Sequence, residues 1–298
     1  MQTTIATVAL TGTYDVAESL ARHITLIEEA AGNGADLIVF PEISLQGYPP
    51  DYNLLYGQRL LDVYNNAELV PSGPSVQALI ETAKRLGVHV IIGLNEAGEE
   101  GRGVVYNTTV LTGPDGYIGR YRKVHVGIAE QVTWRGGDDW PVFETPFGNI
   151  GMLICYDKQW PEASRELTLR GADILVMSTA WFMPAGEMDP TVNNWGDLYH
   201  VYDRCRAAEN KRWFVSSNFA GSYGNTNFVG YSQITDPLGR IIVTTGPTDP
   251  GIAYATIDVK QGILEANAET MMGNNLIRDW RPDTYKALRG EMSLTING

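Results

Sequence analysis

The chain writes one short passage twice. Gly34-Ala35-Asp36-Leu37-Ile38-Val39 in the first half is matched by Gly171-Ala172-Asp173-Ile174-Leu175-Val176 in the second, and each follows an amphipathic stretch of helical period. A glycine that stops a helix, then a run of branched apolar residues, is a helix-to-strand switch. A hairpin signal recurs as well, as Gly113-Pro114-Asp115-Gly116 and again as Asp236-Pro237-Leu238-Gly239, with turn residues at suitable offsets between strand-like runs. Two recurrences in the same order point to one internally duplicated α/β unit rather than two unrelated domains. Two sheets face to face, with helices outside, accommodate both halves.

The rest of the pattern fits that layout. Strands are predicted at Thr4–Leu10, Asp36–Phe40, Val88–Leu94, Val104–Thr112, Gly151–Cys155, Asp173–Ser178, Trp213–Ser217, Phe228–Thr235 and Ile252–Asp258. Helices are predicted at Val16–Ala31, Ser75–Leu86, Pro161–Arg170 and Trp195–Glu209. With 298 residues, 44% of them hydrophobic, the chain can bury a substantial core as a single domain spanning 1–298. After about Lys260 the strand signals cease, and 261–298 is expected to be a C-terminal arm, lying on the body or reaching a second subunit.

A net charge of −13 without any block of like charges argues against nucleic acid, whose phosphates need a basic face. Two cysteines, Cys155 and Cys205, do not make a disulfide framework and suit a reducing compartment. The opening MQTTIATVAL reads as a strand rather than a leader, and no apolar run approaches the ~20 residues of a membrane helix. The expectation is a cytoplasmic protein with no membrane partner.

Three reactive side chains stand at or just after apolar strands, where functional groups concentrate. They are Glu42 in Phe40-Pro41-Glu42, Lys123 in Tyr121-Arg122-Lys123-Val124-His125, and Cys155 in Leu153-Ile154-Cys155-Tyr156-Asp157. Each alone has a plain alternative: a buried small hydrophobe for the thiol, a solvated strand end for the lysine, a turn for the glutamate. Together they form a chemically complete set. Glu42 as general base can take the proton from the Cys155 thiol during attack on an amide carbon. Lys123 and the Tyr156 backbone N–H can stabilise the oxyanion, where one donor is typically worth ~2.7–4 kcal/mol. Departure of ammonia or an amine leaves a thioester that water hydrolyses, with no metal or organic cofactor required.

These segments resemble the nitrilase superfamily of carbon–nitrogen hydrolases, whose signature is a Glu-Lys-Cys triad. Val39-Phe40-Pro41-Glu42 resembles its Glu motif, Gly119-Arg120-Tyr121-Arg122-Lys123-Val124-His125 its Lys motif, and Ile154-Cys155-Tyr156-Asp157-Lys158-Gln159-Trp160-Pro161-Glu162 its nucleophile motif. Flanking segments agree, at Arg206-Ala207-Ala208-Glu209-Asn210 and at Gly230-Tyr231-Ser232-Gln233-Ile234-Thr235-Asp236-Pro237, so the likeness runs from about Thr4 to Asp258. It implies a four-layer αββα sandwich, a homodimer or larger homo-oligomer, and a fourth site residue, Glu130, as the second glutamate that helps position substrate.

The branch of the family is read from smaller signs. True nitrilases carry Trp-Glu after the nucleophile, whereas Tyr156-Asp157 is more like amidases and N-carbamoyl amide hydrolases. Carbamoyl-D-amino-acid hydrolases often have two basic residues before Trp-Pro-Glu, suited to a substrate carboxylate; here the pair is Lys158-Gln159. Leu45-Gln46-Gly47-Tyr48-Pro49-Pro50-Asp51 resembles the glutaminase part of glutamine-dependent NAD synthetases, but the chain holds no ATP motif. Tyr48, Trp134, Tyr156 and Trp181 fall near the motif loops as candidates to line an apolar pocket, with core packing as the alternative for each. The expected substrate is a small linear amide, with a carbamoyl compound, a nitrile and a non-catalytic binding role as the other readings.

The four histidines, at 23, 89, 125 and 200, have no metal-ligand spacing. His125 could pair with Cys155, though its place two residues after Lys123 favours the Glu-Lys-Cys reading. Cys205 is expected to be a packed helix residue.

Overall fold

A computed structural model describes residues 1–49, 58–99, 103–127, 129–183, 194–223, 226–269 and 275–289. The first half runs β1 (Gln2–Ala9), α1 (Val16–Gly32), β2 (Leu37–Val39), α2 (Gln58–Asn66), α3 (Pro74–Leu86), β3 (His89–Ala97), β4 (Val105–Gly113) and β5 (Gly116–Arg122). The second runs β6 (Val142–Phe143), β7 (Ile150–Ile154), α4 (Pro161–Leu169), β8 (Ile174–Ser178), α5 (Asn194–Asn210) and β9 (Trp213–Ser217). It continues through β10 (Ala220–Tyr223), β11 (Thr226–Val229), β12 (Gln233–Thr235), β13 (Ile241–Thr244), β14 (Gly251–Asp258) and α6 (Val259–Ala268).

Two six-stranded sheets result, ordered β14-β1-β2-β3-β4-β5 and β13-β12-β9-β8-β7-β6, beside a β10-β11 ribbon. Each large sheet has three parallel strands, β1-β2-β3 or β7-β8-β9, extended by an antiparallel hairpin, β4-β5 or β12-β13. The duplicated passages account for this. At both Gly34 (φ 84°) and Gly171 (φ 99°) the chain turns out of a helix in the left-handed conformation glycine favours. The following Asp36 and Asp173 donate their N–H to Thr4 O and Asn149 O, at or just before the preceding strand, both at 2.8 Å. Their carboxylates then accept the N–H of Thr4 (2.7 Å) and Asn149 (3.0 Å), so each Gly-Ala-Asp locks a helix end to the sheet it covers.

Three apolar layers separate four layers of structure. Ala6, Val8, Ile38, Val90 and Ile92 pack outward on Ile27, Leu79 and Ala83 of α1 and α3. The alternate residues Ile5, Leu37, Val39 and Ile91 face Met152, Ile154, Val176 and Val215 of the other sheet. Leu153, Leu175, Met177 and Phe214 pack outward on Leu167 of α4 and Tyr199 and Ala207 of α5. This is the period of two that a strand buried on both faces imposes.

Some sequence expectations need correction. The run Phe228–Thr235 is not one strand: Gly230 (φ 67°) and Tyr231 (φ 58°) turn the chain, sending β11 to the small ribbon and β12 to the large sheet. The first residues of the expected arm belong to α6, whose Val259 and Ala266 are buried and whose Gly262 lies under the Trp213 ring. Residues 270–274 and 290–298 of that arm lie outside the described residues, as do Pro50 and Asp51. Cys205, expected to be packed, is exposed on α5.

Candidate active site

The carboxyl ends of β2, β5 and β7 bring the three reactive segments together, at the edge of the sheets where sites in such folds usually lie. Glu42 follows β2 in a segment held against the opposite sheet, where its N–H donates to Thr179 O at 3.3 Å. Gly93 of β3 makes that approach fit: a Cβ there would stand 2.4 Å from Ile43 N and 2.5 Å from Pro41 O. The Glu42 side chain is fully buried. Its Oε1 accepts from Lys123 Nζ at 2.8 Å and Asn107 Nδ2 at 2.6 Å, and its Oε2 accepts from the Ala180 N–H at 2.9 Å.

Lys123 leaves the end of β5 with its N–H bonded to Asn107 O at 2.9 Å. Its ammonium is shared with Glu130, donating to Oε1 at 2.8 Å and Oε2 at 2.9 Å. Glu130 is held in turn by the Tyr48 hydroxyl and the Gly127 N–H, both at 2.9 Å.

Cys155 ends β7 and opens a 3-10 turn, Cys155–Gln159, with φ at 43°. A side chain held at positive φ is costly and marks a position the surroundings over-determine. Asp157 in the same turn clamps the arrangement. Its carboxylate accepts the Ile154 N–H (3.0 Å), the Tyr121 hydroxyl (2.7 Å) and the His125 N–H (2.9 Å), and lies 2.9 Å from His125 Nδ1. The strand end bearing Lys123 and the turn bearing Cys155 are thereby tied to one carboxylate. His125 is engaged there and stacks on Trp160 at 4.9 Å, so the thiol–imidazole alternative has no support.

Burial sets the protonation states. It raises the Glu42 carboxyl, Glu130 adds to the rise, and Lys123 and Asn107 work against it. Burial alone would lower Lys123, but Glu130 and Glu42 hold it well above the usual lysine range. The Cys155 thiol is pushed up to about 12, first by burial and then by the Glu42 charge, against the pull of Lys123. These shifts favour the thiol over the thiolate. Attack requires a base in place, and the raised Glu42 is better matched to that task than an ordinary carboxylate.

A cavity of about 310 Å³ opens on Cys155, Lys123 and Glu130. Tyr48, Tyr156, Trp181, Phe182 and Trp195 make its aromatic walls, and Gln159 adds a neutral amide. Of the aromatic residues expected here from sequence, Trp134 is misplaced: it is buried behind Tyr48, stacked at 6.2 Å, with Nε1 donating to Asn95 Oδ1 at 2.8 Å. Phe182 and Trp195 were not foreseen, although Phe182 is the next residue after Trp181. Asn107 and the Ala180 N–H, the other partners of Glu42, carry no sequence signal. Lys158, weighed for a substrate carboxylate, is fully buried and bonded to Asp203 at 3.0 Å.

Comparison with known proteins places the chain in a family. The family model described as carbon-nitrogen hydrolase matches residues 4–263. The chain is 30% identical to a probable nitrilase of Schizosaccharomyces pombe (92% of this chain, 93% of that one) and 30% identical to an omega-amidase of Homo sapiens (90% and 91%). It is 31% identical to an (R)-stereoselective amidase of Pseudomonas (94% and 90%). Among solved structures, a carbon-nitrogen hydrolase of Helicobacter pylori superposes with a TM-score of 0.83 at 21% identity (96% and 98% covered). An amidase of Nesterenkonia, captured with acrylamide added to its active-site cysteine, superposes at 0.76 and 21% (96% and 99%).

Proposed function

The chain belongs to the carbon–nitrogen hydrolase family, and from that premise we propose that it is an amidase, cleaving a small, neutral primary amide to carboxylate and ammonia. The observation that carries the reading is the Lys123 ammonium bridging two buried carboxylates, Glu42 and Glu130, at one side of an aromatic cavity that also holds Cys155.

In the reaction so derived, the Cys155 sulfur bonds to the amide carbon as its proton passes to the Glu42 carboxylate. Charge gathering on the amide oxygen meets the Lys123 ammonium and the Tyr156 N–H, which lies in the first turn of its 3-10 segment, where main-chain donors lack partners within the turn. The C–N bond breaks as Glu42 returns the proton to nitrogen, and ammonia leaves a thioester. Water then adds to that carbonyl, giving a proton to Glu42. Collapse expels the sulfur, which recovers the proton while the acid departs. Glu130 binds Lys123 through both oxygens and so fixes the ammonium rather than moving protons.

Substrate charge follows from the lining. Lys123 is the cation among the described lining residues, and it is committed to Glu42 and Glu130. With Gln159 neutral and Lys158 buried, a distal carboxylate has no counter-charge among the described lining residues, which favours a plain amide over an N-carbamoyl amino acid. Tyr156-Asp157 likewise favours an amide over a nitrile. An assembly of two or more copies in a reducing cytoplasm completes the proposal. It is supported by the family likeness and the two free thiols, and light scattering and fractionation check it.

The test is ammonia release from a panel of aliphatic and aromatic amides, N-carbamoyl amino acids and nitriles, beside Cys155→Ala. Release from amides alone, lost in the variant, is expected. Release from nitriles or carbamoyl acids in preference would move the assignment to those branches, and silence from a folded protein with a titratable thiol would favour a binding role.

A further inference from the structure

Lys158 lies three residues beyond the nucleophile, in the same turn. Its ammonium donates to Asp203 Oδ1 at 3.0 Å and to Tyr199 O at 3.5 Å. It also stands 3.5 Å from the centre of the Tyr199 ring and 4.5 Å from that of Trp181. The second Asp203 oxygen accepts from Ser216 Oγ at 2.5 Å and Gln233 Nε2 at 2.7 Å, and the Tyr199 hydroxyl donates to Ser216 Oγ at 2.8 Å. The cluster is saturated with its own partners and offers nothing to a ligand.

Stability is a poor account of it. An ion pair withdrawn from water is often no more stabilising than apolar side chains of the same volume, because desolvating both charges offsets their attraction. What the pair does touch is Trp181, whose indole lines the cavity and meets Trp195, Tyr199 and Tyr202 edge to face. The indole Nε1–H also donates to Trp195 O at 3.3 Å, which pins one edge and leaves the ring able to tilt about that bond. A cation over its face fixes the plane. Asp203 fixes the cation, and α5 with its Ser216 and Gln233 bonds fixes Asp203.

We propose that Lys158 is a positioning residue for substrate selection: locked to Asp203, its ammonium holds the Trp181 indole as a wall of the acyl pocket without itself meeting substrate. This rests on the amidase reading of that pocket. The turn that carries the nucleophile thus also carries the support for that wall.

The experiment compares wild type with Lys158→Met, which keeps an unbranched chain, and with Lys158→Met/Asp203→Asn, which leaves no lone buried carboxylate and is the form to read should the single variant not fold. Trp181→Leu and Trp181→Leu/Lys158→Met complete a cycle. Two readouts are taken: kcat/KM for primary amides from acetamide to phenylacetamide, and the rate at which 2-chloro amides of matching acyl size inactivate Cys155, which requires a reactive thiol but no turnover. The ratio of largest to smallest acyl group should change at least fivefold without Lys158, the smallest reagent should react within threefold of wild type, and nothing further should change when Trp181 is already Leu. Unaltered ratios in the folded variants, or equal effects with and without Trp181, would overturn the proposal. Wild type that turns over no amide, yet is inactivated in a size-dependent way, would sink the amidase reading and leave Lys158 to be judged by the inactivation ratios.

Discussion

The two halves of the molecule share a scaffold and part company at four strand ends. Aligned on the repeated Gly-Ala-Asp and on the pairings Ile5–Leu37 and Ile150–Ile174, Leu10 is the counterpart of Cys155, and Glu42 is the counterpart of Thr179. Leu10 is buried in the helix-side core, while Cys155 opens on the cavity. Glu42 donates its N–H to the carbonyl of its own counterpart, Thr179. In the reaction proposed above, one half supplies the base and the ammonium, and the other supplies the nucleophile and the oxyanion N–H. Neither half holds all four groups, so the proposed catalysis depends on how the two sheets are aligned rather than on any one loop.

The hardest test of this contrast exchanges counterparts. Cys155→Ala should lower kcat by about 10⁴-fold or more with little change in Tm, while Leu10→Ala should cost about 2–5 kcal/mol of stability and leave kcat per folded molecule intact. Ammonia release and thermal denaturation read the two; loss of turnover in folded Leu10→Ala would break the contrast. Next in size, Glu42→Gln should cost about 10²–10⁴-fold in kcat. Wild-type rate should rise with pH through the raised Glu42 pKa, a limb absent from the variant. The stability sign is the reverse. A carboxyl whose folded pKa is raised contributes below its unfolded pKa and loses that contribution as pH rises through the folded value, so the Tm of wild type relative to Glu42→Gln should fall between pH 4 and pH 8.

Smaller effects sharpen the comparison. Gly93 of β3 and Ser217 of β9 occupy equivalent ladder positions. Gly93→Ala should displace the Glu42 segment and cost about 10²-fold in kcat, whereas Ser217→Ala, which loses a 2.6 Å bond to Val8 O, should cost about 0.5–1.5 kcal/mol of stability and leave kcat alone. Gln159→Arg should shift kcat/KM toward amides with a distal carboxylate by about tenfold, or ~1.4 kcal/mol. Cys205→Ser should change stability by less than about 0.5 kcal/mol and turnover not at all, with a maleimide labelling Cys205 in active enzyme.

What the sequence made legible was local. The repeated Gly-Ala-Asp, the hairpin turns and the periods of branched residues located the layers, since each is a short-range backbone requirement. Glu42, Lys123 and Cys155 stood out because each follows such a strand. Glu130 was visible only through family likeness: its meeting with Lys123 depends on a loop path that no periodicity encodes. Trp134 was misplaced, and the orientation of Lys158 was not foreseen, for one reason. Proximity in sequence to a motif says nothing of which way a side chain turns, and both turn into saturated contacts behind the cavity. Asn107 escaped notice because a polar residue inside β4 is informative only once Glu42 is known to arrive from the loop after β2.

The pairing of β14 with β1 runs for eight residues. It joins positions some 250 residues apart, so it has high contact order and forms late. On the ribosome, the β1 edge stays open while the Cys155 half emerges, and the sheet bearing Glu42 and Lys123 is finished only once β14 is out. Synthesis itself thus places the closing of the sheet that bears Glu42 after the emergence of Cys155, and a chain released before Gly251 would expose an unpaired strand edge to its neighbours.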